Sequence, residues 1–291
     1  MDGAGNWGDL DWVARWRSLV EVRRERVETL APNSGAGFWD RRADQFRHLS
    51  EQYDPHADPL FALIVEALGD RGSLLDVGAG AGRYALPLAA RARLVTAVEP
   101  SAAMTSHLDD RVKAAGCTNV HVVASTWEEA VVEPHDVVLA AHILYPIADI
   151  VPFVQKLIAK ARRAWFLTIR VEPMGAEFAP LWREIWGTPY PVEPTLLDLY
   201  PLLFAIGVQA NVRLKPFRGA GEGITLDEAV TQVRGRLFLP SDTDEHDERI
   251  RVFLRQHMYQ QGGHWRWPGR PQEAIIFARK EDIADAPTAA A

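Results

Sequence analysis

The chain has 291 residues, of which 47% are hydrophobic and 24% are charged, a balance that is typical of a globular protein with a large core. The formal net charge of -7 disfavours a nucleic-acid partner, because binding phosphates requires clustered Lys and Arg. The single cysteine, Cys117, excludes a disulfide within the chain and a cysteine-based zinc site. No apolar run reaches the roughly 18 residues that span a bilayer, and no signal-peptide pattern is present, so we expect a cytoplasmic protein without a membrane partner.

Helical patterns occupy the chain before its first apolar strand. Asp58 and Pro59 have the residue types that favour the N-cap and first position of a helix. The glycine-containing segment 31–37 predicts a break between helices. We therefore expect residues 1–70 to form an N-terminal helical extension. Its helices are predicted over residues 9–31, 38–52 and 58–70.

From residue 73 onward, short apolar runs alternate with helical patterns. Strands alternating with helices predict an α/β domain, and near-continuous apolar strands indicate a parallel sheet that is covered by helices on both faces. We assign this cofactor-binding core to residues 71–171. Its strands are predicted over 73–78, 94–100, 119–125, 135–142 and 164–170, and its helices over 83–92, 101–116 and 149–161.

Beyond the core the alternation loosens. Thr225 and Glu228 have the spacing of a capping box, which predicts the start of a helix. Further strands are expected over 208–217 and 273–280, and further helices over 225–239 and 247–260. The segments are an aromatic and proline-rich cap with a sixth strand (172–217), accessory helices (218–271), the last strand of the core (272–282) and a tail that we expect to be disordered (283–291).

The turn after the first predicted strand carries three alternating glycines, in the stretch LLDVGAGAGRYALPLA. Gly78, Gly80 and Gly82 form G-x-G-x-G, which differs from the dinucleotide pattern G-x-G-x-x-G and lacks the Lys-Ser/Thr of a phosphate-binding loop. In an open α/β sheet, ligands bind at the carboxyl ends of the strands. Because three glycines are costly in backbone entropy, a turn that holds a ligand is favoured over one that holds none.

Two acidic residues narrow the choice of ligand. Asp76 lies two residues before the turn, where it would repel a diphosphate and suit a positively charged group. Glu99 ends the second strand, where an acidic side chain accepts hydrogen bonds from ribose hydroxyls. The site therefore needs a ribose joined to a cation. S-adenosylmethionine fits, through its sulfonium and its α-ammonium group.

At this point the sequence resembles the class I S-adenosylmethionine-dependent methyltransferases, of the small-molecule methyltransferase-like group. LLDVGAGAGRYALPLA is similar to the first motif of that family, VTAVEPSAAM to the second, and VVASTWEEA to the segment after the third strand. DVVLAAHILYPIADIVPFVQKL resembles the fourth strand and the helix that follows it. The resemblance implies a Rossmann-like fold with a seven-stranded, mostly parallel sheet, an antiparallel last strand, helices on both faces and helical cap insertions.

The resemblance also implies the cofactor S-adenosyl-L-methionine, with S-adenosyl-L-homocysteine as product and no metal. Ser125 stands where the family often has an Asp at the adenine edge. Trp127 either covers one adenine face or is a core tryptophan, and Arg42 pairs either with the cofactor carboxylate or with a surface acid. The residues expected to bind the cofactor are Trp39, Arg42, Asp76, Gly78, Ala79, Gly80, Gly82, Tyr84, Glu99, Pro100, Ser101, Met104, Ser125, Thr126, Trp127, Ala141 and His142.

Methyl transfer is an in-line displacement at an activated carbon, so the enzyme mainly aligns the reactants and excludes water. A base is needed only if the acceptor atom is protonated. The candidate catalytic residues are His142, as a base or an orienting group, and Tyr145, whose ring could face the sulfonium. Each has a plain alternative, as a lining residue and a packing residue. Candidate substrate residues are Arg170 and Glu172 at the end of the fifth strand and Trp182 and Trp186 in the cap, which helix packing would also explain.

We thus predict a methyltransferase that acts on a small, partly apolar molecule. The alternatives are a protein or peptide methyltransferase and a non-catalytic S-adenosylmethionine-binding module. A dinucleotide oxidoreductase is disfavoured by the glycine spacing and by Asp76.

Overall fold

The computed structural model describes residues 10–30, 38–217, 223–239, 243–269 and 271–280. The α-helices in these ranges are α1 (Trp12–Leu30), α2 (Phe38–Glu51), α3 (Pro59–Leu68), α4 (Ala85–Ala89), α5 (Ala102–Ala114), α6 (Ile150–Ala159), α7 (Ala179–Trp186), α8 (Leu196–Ala205), α9 (Leu226–Arg236) and α10 (Asp247–His257). The strands are β1 (Ser73–Val77), β2 (Leu94–Val98), β3 (Val120–Val123), β4 (His135–Ala141), β5 (Ala161–Arg170), β6 (Asn211–Pro216), β7 (Tyr259–Gln261), β8 (His264–Arg266) and β9 (Gln272–Arg279).

Seven of these strands form one sheet, in the order β3-β2-β1-β4-β5-β9-β6. The strands from β1 to β5 pair in parallel, whereas β9 is antiparallel to both of its neighbours, β5 and β6. The predicted α/β fold with an antiparallel last strand is confirmed. The strand order reverses between β1 and β4, so the carboxyl ends of these strands border the crevice where open α/β sheets bind ligands.

Helices cover both faces of the sheet because its central strands are apolar on both sides. On β1, Leu74 belongs to a hydrophobic cluster that includes residues of α3, α4 and α5, whereas its neighbour Leu75 belongs to another that includes residues of α1, α6 and α8. Alternate side chains of a strand point to opposite faces, so a continuous apolar run is buried only between two helical layers. This burial anchors the ends of β1, β2 and β4 rigidly beneath the candidate site.

Short-range signals set the ends of several helices. The Asp58 side chain accepts the Leu60 N–H and caps α3, and the Ser101 side chain accepts the Met104 N–H and caps α5. Thr225 and Glu228 form the expected capping box at the start of α9. Such side-chain oxygens satisfy amide groups that have no partner within the helix.

A third hydrophobic cluster forms a cap beside the sheet, built from α7, α9, α10 and the β7–β8 hairpin. The sequence predicted the two accessory helices, but not α7, α8 or the hairpin. Among them, α8 packs with the main core through Leu199, Leu202 and Leu203. The predicted break at 31–37 and the predicted tail at 283–291 lie outside the described residues. In the part of the chain that is described, no helix is long and apolar enough to cross a membrane.

Candidate active site

The glycine-rich turn after β1 has a backbone that only glycine adopts readily. Gly78, Gly80 and Gly82 all have positive φ, at 72°, 53° and 83°. A Cβ atom at Gly78 would clash with the side chain of Ile143, and one at Gly82 with Leu108, whereas one at Gly80 would have nothing within 4 Å. The outer glycines are therefore required by packing, and the middle one leaves open space where a side chain would otherwise project.

Glu99 ties this turn to the end of β2. Its Oε2 accepts the Gly80 N–H at 2.9 Å, and its Oε1 accepts the Ser101 N–H at 2.9 Å. Ionised carboxylate oxygens each accept more than one hydrogen bond, so this arrangement also suits a pair of ligand hydroxyls. The predicted ribose residue thus holds the turn in place as well.

Asp76 is a buried carboxylate near the same turn. It is 2% exposed, and its Oδ2 has no hydrogen-bond partner among the described residues. Burial, with a smaller effect from the charge of Glu99, raises the pKa of Asp76 to about 7, although the Ala85 amide opposes this. A buried, unpartnered carboxylate is costly unless it is protonated or meets a positive charge, so Asp76 is suited to a cationic ligand.

Helix α2 packs beside the turn and against α5. Ala43 and Phe46 of α2 contact a cluster that contains Ala81 of the turn and Met104 of α5. Arg111 of α5 also donates to the backbone oxygen of Ala81. The segment before the core therefore borders one side of the candidate cofactor site. The side chains of Trp39 and Arg42 are outside the described part of the molecule.

The segment predicted to meet adenine follows β3, and its tryptophan points into the core. Trp127 is 4% exposed, its indole N–H donates to the Phe153 oxygen at 3.1 Å, and the Lys156 ammonium lies 4.5 Å from its ring centre. These contacts favour the alternative of a core tryptophan. Ser125 and Thr126 lie closer to the surface, where the Ser125 hydroxyl donates to the Thr126 carbonyl and Thr126 Oγ1 bonds to Glu129.

His142 follows β4 in an unusual conformation. It has a positive φ of 58°, and its N–H donates to Thr168 of β5, to the carbonyl at 3.2 Å and to Oγ1 at 3.1 Å. A non-glycine residue held in the left-handed region is strained, and such strain often marks functional sites. The ring lies parallel to that of Tyr145, with the Tyr145 hydroxyl 3.1 Å from Nδ1.

The other ring nitrogen of His142 meets a glutamate that the sequence did not indicate. His142 Nε2 is hydrogen-bonded to Oε2 of Glu273, the second residue of β9. Burial lowers the pKa of His142, although Glu273 opposes this effect. We therefore describe His142 as a neutral imidazole at pH 7. For Glu273, burial would raise the pKa, but the contacts with His142 and Lys215 outweigh it and the pKa is lowered.

Lys215 of β6 connects Glu273 to a second buried carboxylate. Its Nζ lies 2.8 Å from Glu273 Oε1 and 2.7 Å from Asp58 Oδ1, and all three side chains are at most 5% exposed. The other oxygen of Asp58 accepts the hydroxyls of Tyr53 at 2.8 Å and Tyr84 at 3.0 Å. Tyr84, expected at the cofactor, therefore has its hydroxyl committed to Asp58.

One signal in the sequence could have revealed these charges. Glu273 is a charged residue at the start of the mostly apolar strand β9, and Lys215 lies in the edge strand β6. The two residues are partners in the β6–β9 register. Glu273 also faces Arg170 in the β5–β9 register. The register of β9 is a tertiary feature, so the pairing itself was not predictable from spacing.

The four predicted substrate residues separate into two groups. Arg170 lies beside the histidine, with its guanidinium 4.7 Å from the ring centre of Tyr145 and hydrogen-bonded to Glu193 at 2.6 Å. Glu172 is at the surface and accepts the Gln272 N–H. Trp182 is fully buried in the cap, and Trp186 packs there too, with its indole N–H on the Leu237 oxygen. For the two tryptophans, the structure favours helix packing over acceptor contact.

Among the described residues, no group of three or more His, Cys, Asp or Glu side chains is arranged to hold a metal ion.

Comparisons with known proteins match the core of the chain. Residues 74–164 match the family model described as "Methyltransferase domain". An uncharacterized protein of Haemophilus influenzae is 28% identical over 167 residues, which are 55% of this chain and 60% of that relative. The matched part thus spans less than two thirds of the relative's length.

Solved structures share the fold at low identity. The YcgJ protein of Bacillus subtilis has a TM-score of 0.51 at 17% identity, covering 74% of this chain and 95% of its own. A putative methyltransferase of Bacillus halodurans has a TM-score of 0.50 at 15% identity, covering 76% and 98%. The plantazolicin methyltransferase BamL, in complex with a triazolic desmethylPZN analogue and S-adenosyl-L-homocysteine (SAH), has a TM-score of 0.51 at 15% identity. The match covers 91% of this chain and 98% of BamL. Residues 74–164 therefore match the methyltransferase domain family, and the chain shares the Rossmann-like fold of these solved structures.

Proposed function

We propose that the protein is an S-adenosylmethionine-dependent methyltransferase that acts on a small, partly apolar molecule. The observation that carries the proposal is the buried carboxylate of Asp76, whose Oδ2 has no partner in the described residues, beside a glycine turn that is open at Gly80. The family match over residues 74–164 supports it, and so does the shared fold with a methyltransferase whose structure contains SAH.

The residues of the crevice fit this cofactor. Asp76 would face its positive charge, Glu99 its ribose hydroxyls, and Ser125 with the neighbouring backbone its adenine edge. Arg42, on the helix beside the turn, would pair with its carboxylate. When bound, the cofactor supplies a methyl group on a sulfonium that is its own leaving group.

His142 and Tyr145 are the groups suited to an acceptor that must lose a proton. His142 is a neutral base, and Tyr145 connects it to the Arg170 backbone at the end of β5. The guanidinium of Arg170 lies between the rings of Tyr145 and Phe217, at 4.7 and 5.4 Å from their centres. Aromatic walls around one polar group suit a small, partly apolar acceptor.

A protein or peptide acceptor is the second enzymatic candidate, and a binding-only module is the third. The strained backbone of His142, a base within a hydrogen-bonded polar network, favours an enzyme over a binding-only module. A panel of phenols, amines and carboxylates should accept a labelled methyl group, whereas a peptide library should not. If only peptides become labelled, the second candidate, a protein or peptide methyltransferase, is favoured instead.

Cofactor identity is tested by ligand-dependent stability. SAH at about 100 times its Kd should stabilise the protein by roughly 2.7 kcal/mol, whereas NAD should leave the melting temperature unchanged. No stabilisation by SAH, or a larger one by NAD, would contradict the proposal.

Glu99→Ala should weaken SAH binding by at least about tenfold, because the ribose and the Gly80 amide lose their acceptor. Calorimetric titration measures this change. Glu133→Ala, at an exposed carboxylate outside the crevice, serves as the control. Unchanged affinity in Glu99→Ala would show that the ribose is held elsewhere.

A further inference from the structure

A continuous series of hydrogen bonds, part-buried at one end and buried at the other, runs from the end of β5 to the start of α3. It joins the Arg170 backbone to Tyr145, Tyr145 to His142, and His142 to Glu273. Lys215 then connects Glu273 to Asp58. These residues come from five separate elements or loops, and nothing in a methyl-group donor site requires the last three of them.

Each hydrogen bond in this series has an assignable donor and acceptor. The Arg170 N–H donates to the Tyr145 oxygen at 3.0 Å, which leaves the Tyr145 O–H to donate to Nδ1 of His142. Glu273 faces the Lys215 ammonium, so it is an anion and only accepts. The bond between Glu273 and His142 therefore needs a hydrogen on Nε2, and Nδ1 is left as the basic nitrogen.

We propose that Glu273, held as an anion by Lys215, is the positioning residue that fixes His142 in the Nε2–H tautomer, so that Nδ1 receives the acceptor's proton through the Tyr145 hydroxyl. This inference rests on the proposed methyl transfer and assigns its proton route. An acceptor X–H loses its proton to Tyr145 as the Tyr145 proton passes to Nδ1. The X–C bond forms while the S–C bond breaks, and the sulfur keeps the electron pair. The imidazolium is then paired with Glu273 until its proton leaves to solvent.

The charged groups around His142 set the expected pH behaviour. Glu273 of β9 favours the imidazolium, whereas burial and the cations Arg170 of β5 and Arg83 before α4 disfavour it. On the same loop, Tyr145 is neutral because burial raises its pKa. Loss of the Glu273 charge therefore lowers the pKa of His142 further and weakens the base.

The first test is spectroscopic and needs no substrate. Nitrogen-15 shifts of His142 in the full-length wild-type protein at pH 7 should show a protonated Nε2 and an unprotonated Nδ1. A protonated Nδ1 with a bare Nε2 would overturn the proposal, whether or not the protein transfers methyl groups. In Glu273→Gln, the signal should become a mixture of the two tautomers.

The second test is kinetic, with an acceptor identified by the labelled panel. Glu273→Gln should lower kcat about 100-fold at nearly constant KM, and it should move the acidic limb of the kcat profile to lower pH. Lys215→Met should also lower kcat, whereas Lys215→Arg should keep most of the wild-type kcat. Glu66→Gln, which removes an exposed carboxylate paired with Arg279 at the far end of β9, should match wild type.

The two tests separate the two proposals. Wild-type kcat and pH profile in Glu273→Gln would overturn the positioning role while leaving methyl transfer intact. Absence of SAH binding and of transfer in the wild type would overturn the proposed function, and the tautomer would still be measured.

Discussion

At the scale of single residues, Asp76 shows how position changes the chemistry of a side chain. An exposed aspartate is ionised at pH 7, but burial raises the pKa of Asp76 to about 7. In the unfolded chain, the pKa of this carboxyl is near 3.8, the ordinary value for an aspartate. Between these two pH values, Asp76 therefore keeps its proton in the folded protein but has lost it in the unfolded chain. The contribution of Asp76 to stability is fully present below about pH 4 and is lost as the pH rises to about 7.

Asp76→Asn should therefore become more stable relative to wild type as the pH rises from 5 to 8. The change in the difference between the two proteins is expected to be on the order of 2 kcal/mol, or several degrees in Tm. Thermal unfolding of both proteins without ligand measures it. A difference that is the same at pH 5 and pH 8 would show that Asp76 is ionised throughout. The same variant should bind SAH more weakly, because the amide offers no charge to the α-ammonium group.

At the scale of elements, the β1–α4 turn separates glycines needed for packing from one needed for a ligand. Gly78 and Gly82 have side chains of Ile143 and Leu108 against them, whereas Gly80 faces open space. The same glycine pattern therefore carries two physical requirements. This distinction can be tested, because a methyl group at Gly80 meets no protein atom but projects into the proposed cofactor site.

Gly80→Ala should lower stability only by about 1–2 kcal/mol, the cost of alanine in a left-handed conformation, but it should weaken SAH binding more than tenfold. Gly116→Ala is the matched control, because Gly116 also has a positive φ, at 63°, and nothing within 4 Å of its Cβ position. Gly116→Ala should lose about the same stability as Gly80→Ala, but it should bind SAH with wild-type affinity. Equal SAH affinity in the two variants would place the cofactor away from Gly80. Chemical denaturation and calorimetric titration provide the two measurements.

Most of the elements themselves were predictable from local patterns. The caps at Asp58, Ser101 and Thr225 lie where the sequence signals predict them. Helix α8 was missed, although Thr195 and Asp198 form a capping box at its start. Pro201 lies inside this helix, and an interior proline normally argues against one.

At the scale of the whole molecule, the protein has a cap with its own hydrophobic core next to the sheet. Trp182 is central to that core and packs against Tyr190, with ring centres 5.3 Å apart, and against Phe238 at 6.3 Å. The main core lies on the two faces of the sheet. No buried residue of that core also belongs to the core of the cap. Damage to the cap core should therefore loosen the cap more than the sheet.

Trp182→Ala should destabilise the cap by about 3–5 kcal/mol, because it leaves a large cavity in a closed cluster. Hydrogen exchange should accelerate in α9 and α10, while the amides of β1, β2 and β4 keep their protection. SAH binding should persist. Tyr259→Ala removes an aromatic residue of the cap that is 49% exposed, and it should change neither measurement. Uniform acceleration across the sheet in Trp182→Ala would show that cap and core unfold as one unit.

The proposed donor side of the site follows from local sequence patterns. Asp76 and Gly80 belong to one turn, and parallel pairing of β1 with β2 brings Glu99 beside them. The chemistry is therefore visible in short segments and in the order of strands. The prediction of a methyltransferase fold needed no knowledge of long-range contacts.

The surroundings of His142, in contrast, depend on contacts between distant parts of the chain. Asp58, Lys215 and Glu273 are far apart in the chain, and they meet because β9 inserts antiparallel between β5 and β6. A shift of that register by one residue would turn Glu273 to the other face of the sheet, since strand side chains alternate. Trp182 likewise could not be assigned from its residue type, because only its burial in the separate core of the cap indicates a packing role.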